Sequence, residues 1–121
     1  MDKKEKKVVI EVLARARELV AAGFVKDRDA HSAEAKKGKL VKYTDESAAR
    51  FTPSAAIWRA EHEILANKGP VLGKALTIFT VKTPKHPAKY RAAKRLKDVL
   101  EWFDTAINAV EGHAGAQQAT A

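Results

Sequence analysis

The chain has 121 residues, 45% of them hydrophobic and 31% charged, a composition typical of one globular domain and too apolar for wholesale disorder. It contains no cysteine, which excludes disulfides, thiol nucleophiles and cysteine-ligated zinc and fits a reducing cytoplasm. No apolar run reaches the roughly 18 residues of a membrane span, so we expect neither a secretory leader nor a membrane segment. The formal net charge of +8 indicates an anionic partner.

The first predicted element is an amphipathic helix over residues 3 to 22. Its apolar side chains recur at intervals of three and four residues between Val9 and Val20. Gly23 is expected to end the helix in the left-handed conformation that helix C-termini favour, with Phe24 packing back on the last turn.

Residues 26 to 46 are polar and rich in charge, which predicts a long surface loop. A short β-hairpin that pairs Phe24-Val25 with Leu40-Val41 is an alternative within that loop. A short turn over residues 45 to 51 is expected to pack against the helix that follows.

Two helices are predicted in the middle of the chain. Thr52 followed by Pro53 is typical of an N-cap and a first helical residue, and the helix should end near Asn67. The next element opens at Gly69 and is expected to be helical through Phe79, although its last residues would also suit a strand.

The last helix has the clearest pattern, because apolar residues repeat with spacings of three and four from Ala93 to Val110. Its positive end should lie near Pro87, and Gly112 should stop it. We therefore predict an all-α fold, a compact bundle of three to four helices with the charged loop between helices 1 and 2. Residues 1–113 would form a single helical domain and 114–121 a flexible tail.

Three blocks of the sequence resemble a group of small helical bacterial and phage proteins that is classed only as a domain of unknown function. The blocks are Val12-Leu13 through Gly23-Phe24, Phe51-Thr52-Pro53-Ser54-Ala55-Ala56 with Arg59-Ala60, and Phe79 with Val99-Leu100, Phe103, Ala106 and Ile107. The resemblance implies a helical fold and a phage or mobile-element context, and it supplies no catalytic residue.

The positive charge is concentrated in residues 82–97, which hold seven basic side chains and no carboxylate. We expect an anion-binding set there, consisting of Lys82, Lys85, His86, Lys89, Arg91, Lys94, Arg95 and Lys97. Cations near the N-terminus of a helix are repelled by the positive end of its dipole, which destabilises the helix slightly. Retention of such cations is compatible with their use in binding phosphate. The alternative is an ordinary solvated helix face. Two further groups could extend the surface: Lys3, Lys4, Lys6 and Lys7, and Lys36, Lys37, Lys39 and Lys42.

The predicted partner is either the backbone of a nucleic acid or an acidic protein surface. Tyr90 is the only aromatic residue inside the patch, which argues against sequence-specific base recognition. The second hypothesis is a protein-interaction module that docks, or forms a homodimer, through an apolar face of the last helix beside Trp102. Trp102 and Trp58 are otherwise expected in the core or at its edge.

Catalytic and metal-binding patterns are weak in this sequence. The histidines His31, His62, His86 and His113 lack ligand spacing, and Glu61-His62-Glu63 is interpreted as an exposed charged helix face. Carboxylates of the last helix should form surface ion pairs, such as Lys94 with Asp98. We expect no enzyme activity, no catalytic residue, no metal and no cofactor.

Overall fold

The computed structural model describes residues 3–25, 32–66, 73–82 and 95–120. These residues form four helices and a three-stranded antiparallel sheet, so the predicted all-α fold is wrong and the fold is mixed. The elements are α1 (Lys3–Ala22), β1 (Ala33–Ala35), β2 (Leu40–Val41), β3 (Ala48–Phe51), α2 (Pro53–Leu65), α3 (Lys74–Lys82) and α4 (Leu96–Thr120).

Helix α1 has the predicted bounds, and it packs against both α2 and α4. Its end differs from the prediction, because Gly23 does not adopt a positive φ. A Cβ atom on Gly23 would lie only 2.1 Å from the carbonyl oxygen of Ala49. Glycine is therefore required here by the close approach of β3, and the left-handed interpretation is wrong.

The sheet replaces the long loop that the sequence predicted. Its strand order is β2-β1-β3, and Ala33 of β1 lies opposite both Val41 and Phe51. The predicted hairpin has the wrong partner, since β2 pairs with β1, and Phe24 instead forms a parallel bridge to Phe51. The expected turn over 45 to 51 ends in strand β3.

The predicted cap of α2 is confirmed. The Thr52 hydroxyl oxygen accepts hydrogen bonds from the backbone N–H groups of Ala55, at 3.4 Å, and Ser32, at 3.2 Å. Because the Thr52 N–H also donates to the Ser32 carbonyl at 3.0 Å, one residue fastens the start of α2 to the start of β1. The helix ends at Leu65, two residues before the predicted end near Asn67, and the next residue, Ala66, adopts a φ of 50°.

Helices α3 and α4 pack together through the rings of Phe79 and Phe103, whose centroids lie 4.6 Å apart. Helix α4 continues through Gly112 to Thr120, so the predicted stop is wrong. Its first residue is Leu96, and the expected start near Pro87 lies outside the described residues. The mobility of 114–121 stays a prediction.

The core lies where α1, α2, α3 and α4 meet the inner face of the sheet, and the half-buried Trp102 packs against its edge, as predicted. Trp58 is also half-buried, and its ring lies edge-on to that of Tyr43, with 5.5 Å between the ring centroids. The largest fully buried side chains are Phe51, Phe79, Phe103, Leu13, Ile57, Val9, Val12, Val20, Val99 and Thr52. Among the helices described, none has both the length and the apolar character that crossing a membrane requires.

Candidate anion-binding surface

The structure describes only the two flanks of the predicted basic patch. Lys82 is the last residue of α3, Arg95 immediately precedes α4, and Lys97 is exposed on the first turn of α4. The members that lie outside the described residues are Lys85, His86, Lys89, Arg91 and Lys94.

Arg95 forms a two-pronged ion pair with Asp98. Its Nε and Nη2 atoms donate to the two carboxylate oxygens at 3.1 and 3.0 Å, and this contact raises the pKa of the guanidinium. Asp98 therefore pairs with Arg95 in the structure, where the sequence suggested Lys94. An acidic residue in the first turn also complements the helix dipole, so the described part of α4 starts with the usual stabilising charge.

All five arginines in the described ranges are ion-paired with carboxylates. The closest contacts are Arg15 to Glu63 at 2.7 Å, Arg17 to Asp104 at 2.8 Å, Arg50 to Glu34 at 3.2 Å, Arg59 to Glu63 at 2.9 Å, and Arg95 to Asp98 at 3.0 Å. Three of the pairs join elements that are distant in sequence. Every described arginine is thus ion-paired, and lysines carry the unpaired positive charge of the described surface, although Lys74 of α3 also pairs with Glu5 of α1 at 3.3 Å.

The pair of arginines on Glu63 also fixes the segment that follows β2. Arg59 Nη1 donates to the carbonyl oxygens of Tyr43 and Asp45, both at 2.9 Å, while its Nε holds Glu63. The hydrogen bond from Arg15, followed by that from Arg59, lowers the pKa of Glu63 despite its partial burial. The chain around Tyr43 is therefore anchored to α2.

Four exposed lysines surround the β1–β2 hairpin: Lys36, Lys37, Lys39 and Lys42. Within the described part of the chain, their ammonium groups have neither a salt bridge nor a side-chain hydrogen bond. Gly38, with a φ of 87°, allows the tight turn between them. These lysines had appeared in the sequence only as an extension of the main patch, because their spacing does not reveal a hairpin.

The turn itself is held firmly against the sheet. The Lys39 carbonyl accepts from the Ala35 N–H at 2.9 Å, and Gly38 N–H donates to the Ala35 carbonyl at 2.8 Å. Arg50 Nη2 donates to the carbonyl oxygens of Ala35 and Lys36 at 3.2 and 3.1 Å. The lysines therefore project from a fixed backbone.

Two depressions flank the hairpin. One, of about 490 Å³, is bordered by Lys36, Lys37 and Lys39, by the carboxylate of Glu46, and by alanines of β1 and β3. The other, of about 810 Å³, follows residues 40–44 along the edge of β2 that faces away from β1. Leu40 on this edge is 53% exposed. The sequence predicts Leu40 only as a strand residue and does not indicate a binding role for Leu40 or Tyr43, because neither lies in a recognisable binding motif.

The acidic residues nearest to the hairpin in sequence offset its charge only in part. Glu34 is already paired with Arg50. Asp45 accepts hydrogen bonds from the Ser47 hydroxyl at 2.6 Å and the Ser47 N–H at 2.8 Å, which lower its pKa. Glu46 is exposed. The hairpin can therefore offer its ammonium groups to an anion from outside.

The second group of lysines, at the start of α1, has a different setting. Lys3, Lys6 and Lys7 border a depression of about 350 Å³ that also contains Glu11 and Glu111. Its three lysines face two carboxylates, whereas the three lysines of the depression beside the hairpin face one, Glu46, so its attraction for an anion is weaker. The hairpin is therefore the better candidate among the described surfaces.

Glu61 is not on an exposed face, which corrects the interpretation of Glu61-His62-Glu63. It is only 4% exposed, and its carboxylate accepts a hydrogen bond from the Gly73 N–H at 2.7 Å. Burial raises the pKa of Glu61, and the hydrogen bond from Gly73 opposes that effect. Because Gly73 precedes α3, the carboxylate stabilises the N-terminus of that helix.

Among the described residues, no group of three or more His, Asp or Glu side chains is arranged to hold a metal ion. Comparison of the chain with family models, with curated proteins and with solved structures gives no match.

Proposed function

We propose that the chain is a cytoplasmic, non-catalytic binding module that engages an anionic partner, the backbone of a nucleic acid, without sequence specificity. The lysines of the hairpin and the basic residues of 82–97 would together provide the contact surface. The resemblance to small phage and bacterial proteins remains a proposal about its origin.

One observation carries this proposal: arginines and lysines are used differently. Every described arginine is paired with a carboxylate, whereas the four hairpin lysines are exposed and unpaired within the described ranges. An ammonium group contacts phosphate as a point charge and lacks the two-pronged geometry with which arginine reads guanine. A lysine surface therefore supports binding to the backbone more than readout of bases.

The alternative, docking through an apolar face of the last helix, has less support. Val99, Phe103 and Ala106 of α4 are buried within the core, and Trp102 packs against the same core from its edge. An apolar face that is already covered inside the protein contributes little to a partner or a second copy.

The proposal is tested by neutralising matched sets of four lysines. Lys36, Lys37, Lys39 and Lys42 are changed together to Gln, and the control changes Lys3, Lys4, Lys6 and Lys7, which alters the net charge equally. Binding of labelled DNA and RNA is measured by fluorescence anisotropy across a salt titration. The slope of log affinity against log salt changes by about 0.7 to 0.9 for each phosphate contact, so the hairpin variant should lose a slope of about 3.

The control variant should lose much less of the slope. A further variant that neutralises Lys89, Arg91, Lys94 and Arg95 measures the contribution of residues 82–97. If the hairpin variant keeps both the affinity and the salt slope of the original chain, the hairpin is not the contact surface. If the chain binds neither DNA nor RNA at low salt, the proposed function is wrong.

A further inference from the structure

Leu40 is the part of the hairpin surface that charge does not explain. It is the one large hydrophobic side chain among the described residues that is mostly exposed. In sequence it lies between Lys39 and Lys42, and the strand register places it opposite Glu34, on the face of the sheet away from the core. Contact between an apolar leucine side chain and a charged phosphate does not contribute favourable binding free energy.

The groove along the edge of β2 combines several kinds of contact. Leu40 provides exposed apolar surface and Lys42 provides a positive charge. Tyr43 also lines the groove; it is half-buried, and its ring packs edge-on against Trp58. The Lys39 carbonyl points toward β1. Because the backbone groups of successive residues in a strand point to opposite sides, the N–H and C=O of Leu40 point away from β1. The groove thus offers a backbone donor and acceptor beside an apolar side chain.

We propose that this groove binds single-stranded nucleic acid, with phosphates on the hairpin lysines and unstacked bases against Leu40 and Tyr43. The inference rests on the proposed function and specifies its ligand. Surfaces that bind single strands combine positive charge along the backbone with side chains that cover the faces of bases. The hairpin lysines and the groove of residues 40–44 supply these two components side by side.

A duplex fits this surface poorly. It keeps the faces of its bases stacked inside and presents phosphates and groove edges, so Leu40 would find no apolar partner. A free two-stranded ribbon can enter a major groove, which is about 12 Å wide. Here β1 is the central strand, and three strands span about 10 Å between their outer axes before side chains are added. Arg50 also ties the turn to β3, so the hairpin cannot extend as a separate arm.

An acidic peptide added as a strand is the competing occupant. Strand addition derives its affinity from a ladder of backbone hydrogen bonds. Strand β2 has two residues, and only Leu40 turns its N–H and C=O outward. One residue provides too short a ladder, so the observations favour the nucleic acid.

The test compares three labelled probes on the full chain: an oligothymidylate of about 16 nucleotides, a DNA duplex of the same length and polyglutamate. Leu40→Thr removes the apolar contact while retaining a residue that suits an exposed strand, and Leu40→Met preserves the apolar contact as the matched control. We expect Leu40→Thr to weaken oligothymidylate binding by about five- to tenfold with an unchanged salt slope. Duplex binding should not change, and Leu40→Met should bind like the original chain.

A second variant, Tyr43→Leu, is expected to weaken oligothymidylate binding in the same selective way. If a variant loses the same affinity for the single strand and the duplex, the inference is wrong and the proposed function stands. The same holds if neither Leu40→Thr nor Tyr43→Leu loses affinity for oligothymidylate. If polyglutamate binds more tightly than oligothymidylate and Leu40→Thr weakens that binding, the ligand of the groove is an acidic protein and the inference is wrong. Failure of both nucleic acids to bind at low salt would refute the proposed function itself.

Discussion

Gly23 provides the sharpest test of how α1 is joined to the sheet. In Gly23→Ala, the new Cβ would lie 2.1 Å from the Ala49 carbonyl oxygen and 2.7 Å from Arg50 Cγ. The side chain of Arg50 can move, but the carbonyl belongs to the backbone of β3. The strand must therefore shift away from the end of the helix by about 1 Å to restore a normal contact.

That shift disturbs two backbone hydrogen bonds, from Phe51 N–H to the Gly23 carbonyl and from Val25 N–H to the Phe51 carbonyl, both 3.0 Å long. Weakening each costs about 0.5 to 1.5 kcal/mol, and overpacking adds about 1 to 3 kcal/mol. The expected loss is therefore about 2 to 6 kcal/mol, a large part of the roughly 5 to 15 kcal/mol that stabilises a domain.

Urea denaturation followed by tryptophan fluorescence measures this loss, and Gly73→Ala is the matched control. Gly73 has a φ of 86° and open space around its Cα, so its substitution by alanine tests backbone conformation without a clash. The control should lose only about 1 to 2 kcal/mol. If Gly23→Asn were more stable than Gly23→Ala, a left-handed glycine would explain the site better than the close approach, because asparagine tolerates that conformation and is larger than alanine.

Two further predictions concern the cap of α2 and the buried carboxylate. Thr52→Ala removes the acceptor for two backbone N–H groups and should lower the free energy of unfolding by about 1 to 2 kcal/mol in urea denaturation; Thr52→Ser should retain most of it, and equal losses would contradict the capping role. Burial raises the pKa of Glu61 above its ordinary 4.5, so the folded state binds its proton more tightly, and its contribution to stability falls as pH rises from 4.5 through the folded value. Glu61→Gln should remove that decline when unfolding is measured across pH, while the opposite trend from Glu63, whose pKa is lowered, should remain.

The helices were predictable because each has strong periodicity or a specific cap. Residues 3 to 22 repeat apolar side chains with the period of a helix, and Thr52-Pro53 combines a capping hydroxyl with a proline that suits the first turn. Gly112 was misleading, since a glycine within a helix costs only about 1 kcal/mol and does not necessarily end it.

The sheet was not predictable from its own residues. Strands β1 and β3 read Ala-Glu-Ala and Ala-Ala-Arg-Phe, and alanine, glutamate and arginine do not favour strands. These strands are held by tertiary contacts instead, through the burial of Ala33 and Phe51 and through Thr52, which joins β1 to α2. Contacts between residues about 20 positions apart leave no periodic signal in a single sequence.

The hairpin lysines were predicted only as an extension of the basic surface, and their arrangement around Leu40 was missed for the same reason. Positive charge is visible in the sequence, but the distinction between paired and unpaired cations depends on which carboxylates the fold brings near. Arg17 contacts Asp104 because α1 packs against α4, and Arg15 contacts Glu63 because α1 packs against α2. The hairpin lysines become distinctive because β1 and β2 place them together around Leu40.

The separation of roles between arginine and lysine also explains how a chain of net charge +8 can fold. Like charges destabilise a compact state most when they are close together and desolvated. Here the guanidinium groups that lie between elements are neutralised by carboxylates, as in the contact of Arg15 and Arg59 with the shared Glu63. The hairpin lysines are exposed, where water and salt screen their mutual repulsion. An anion that binds across them would relieve the remaining repulsion, so binding and stability of the hairpin should increase together.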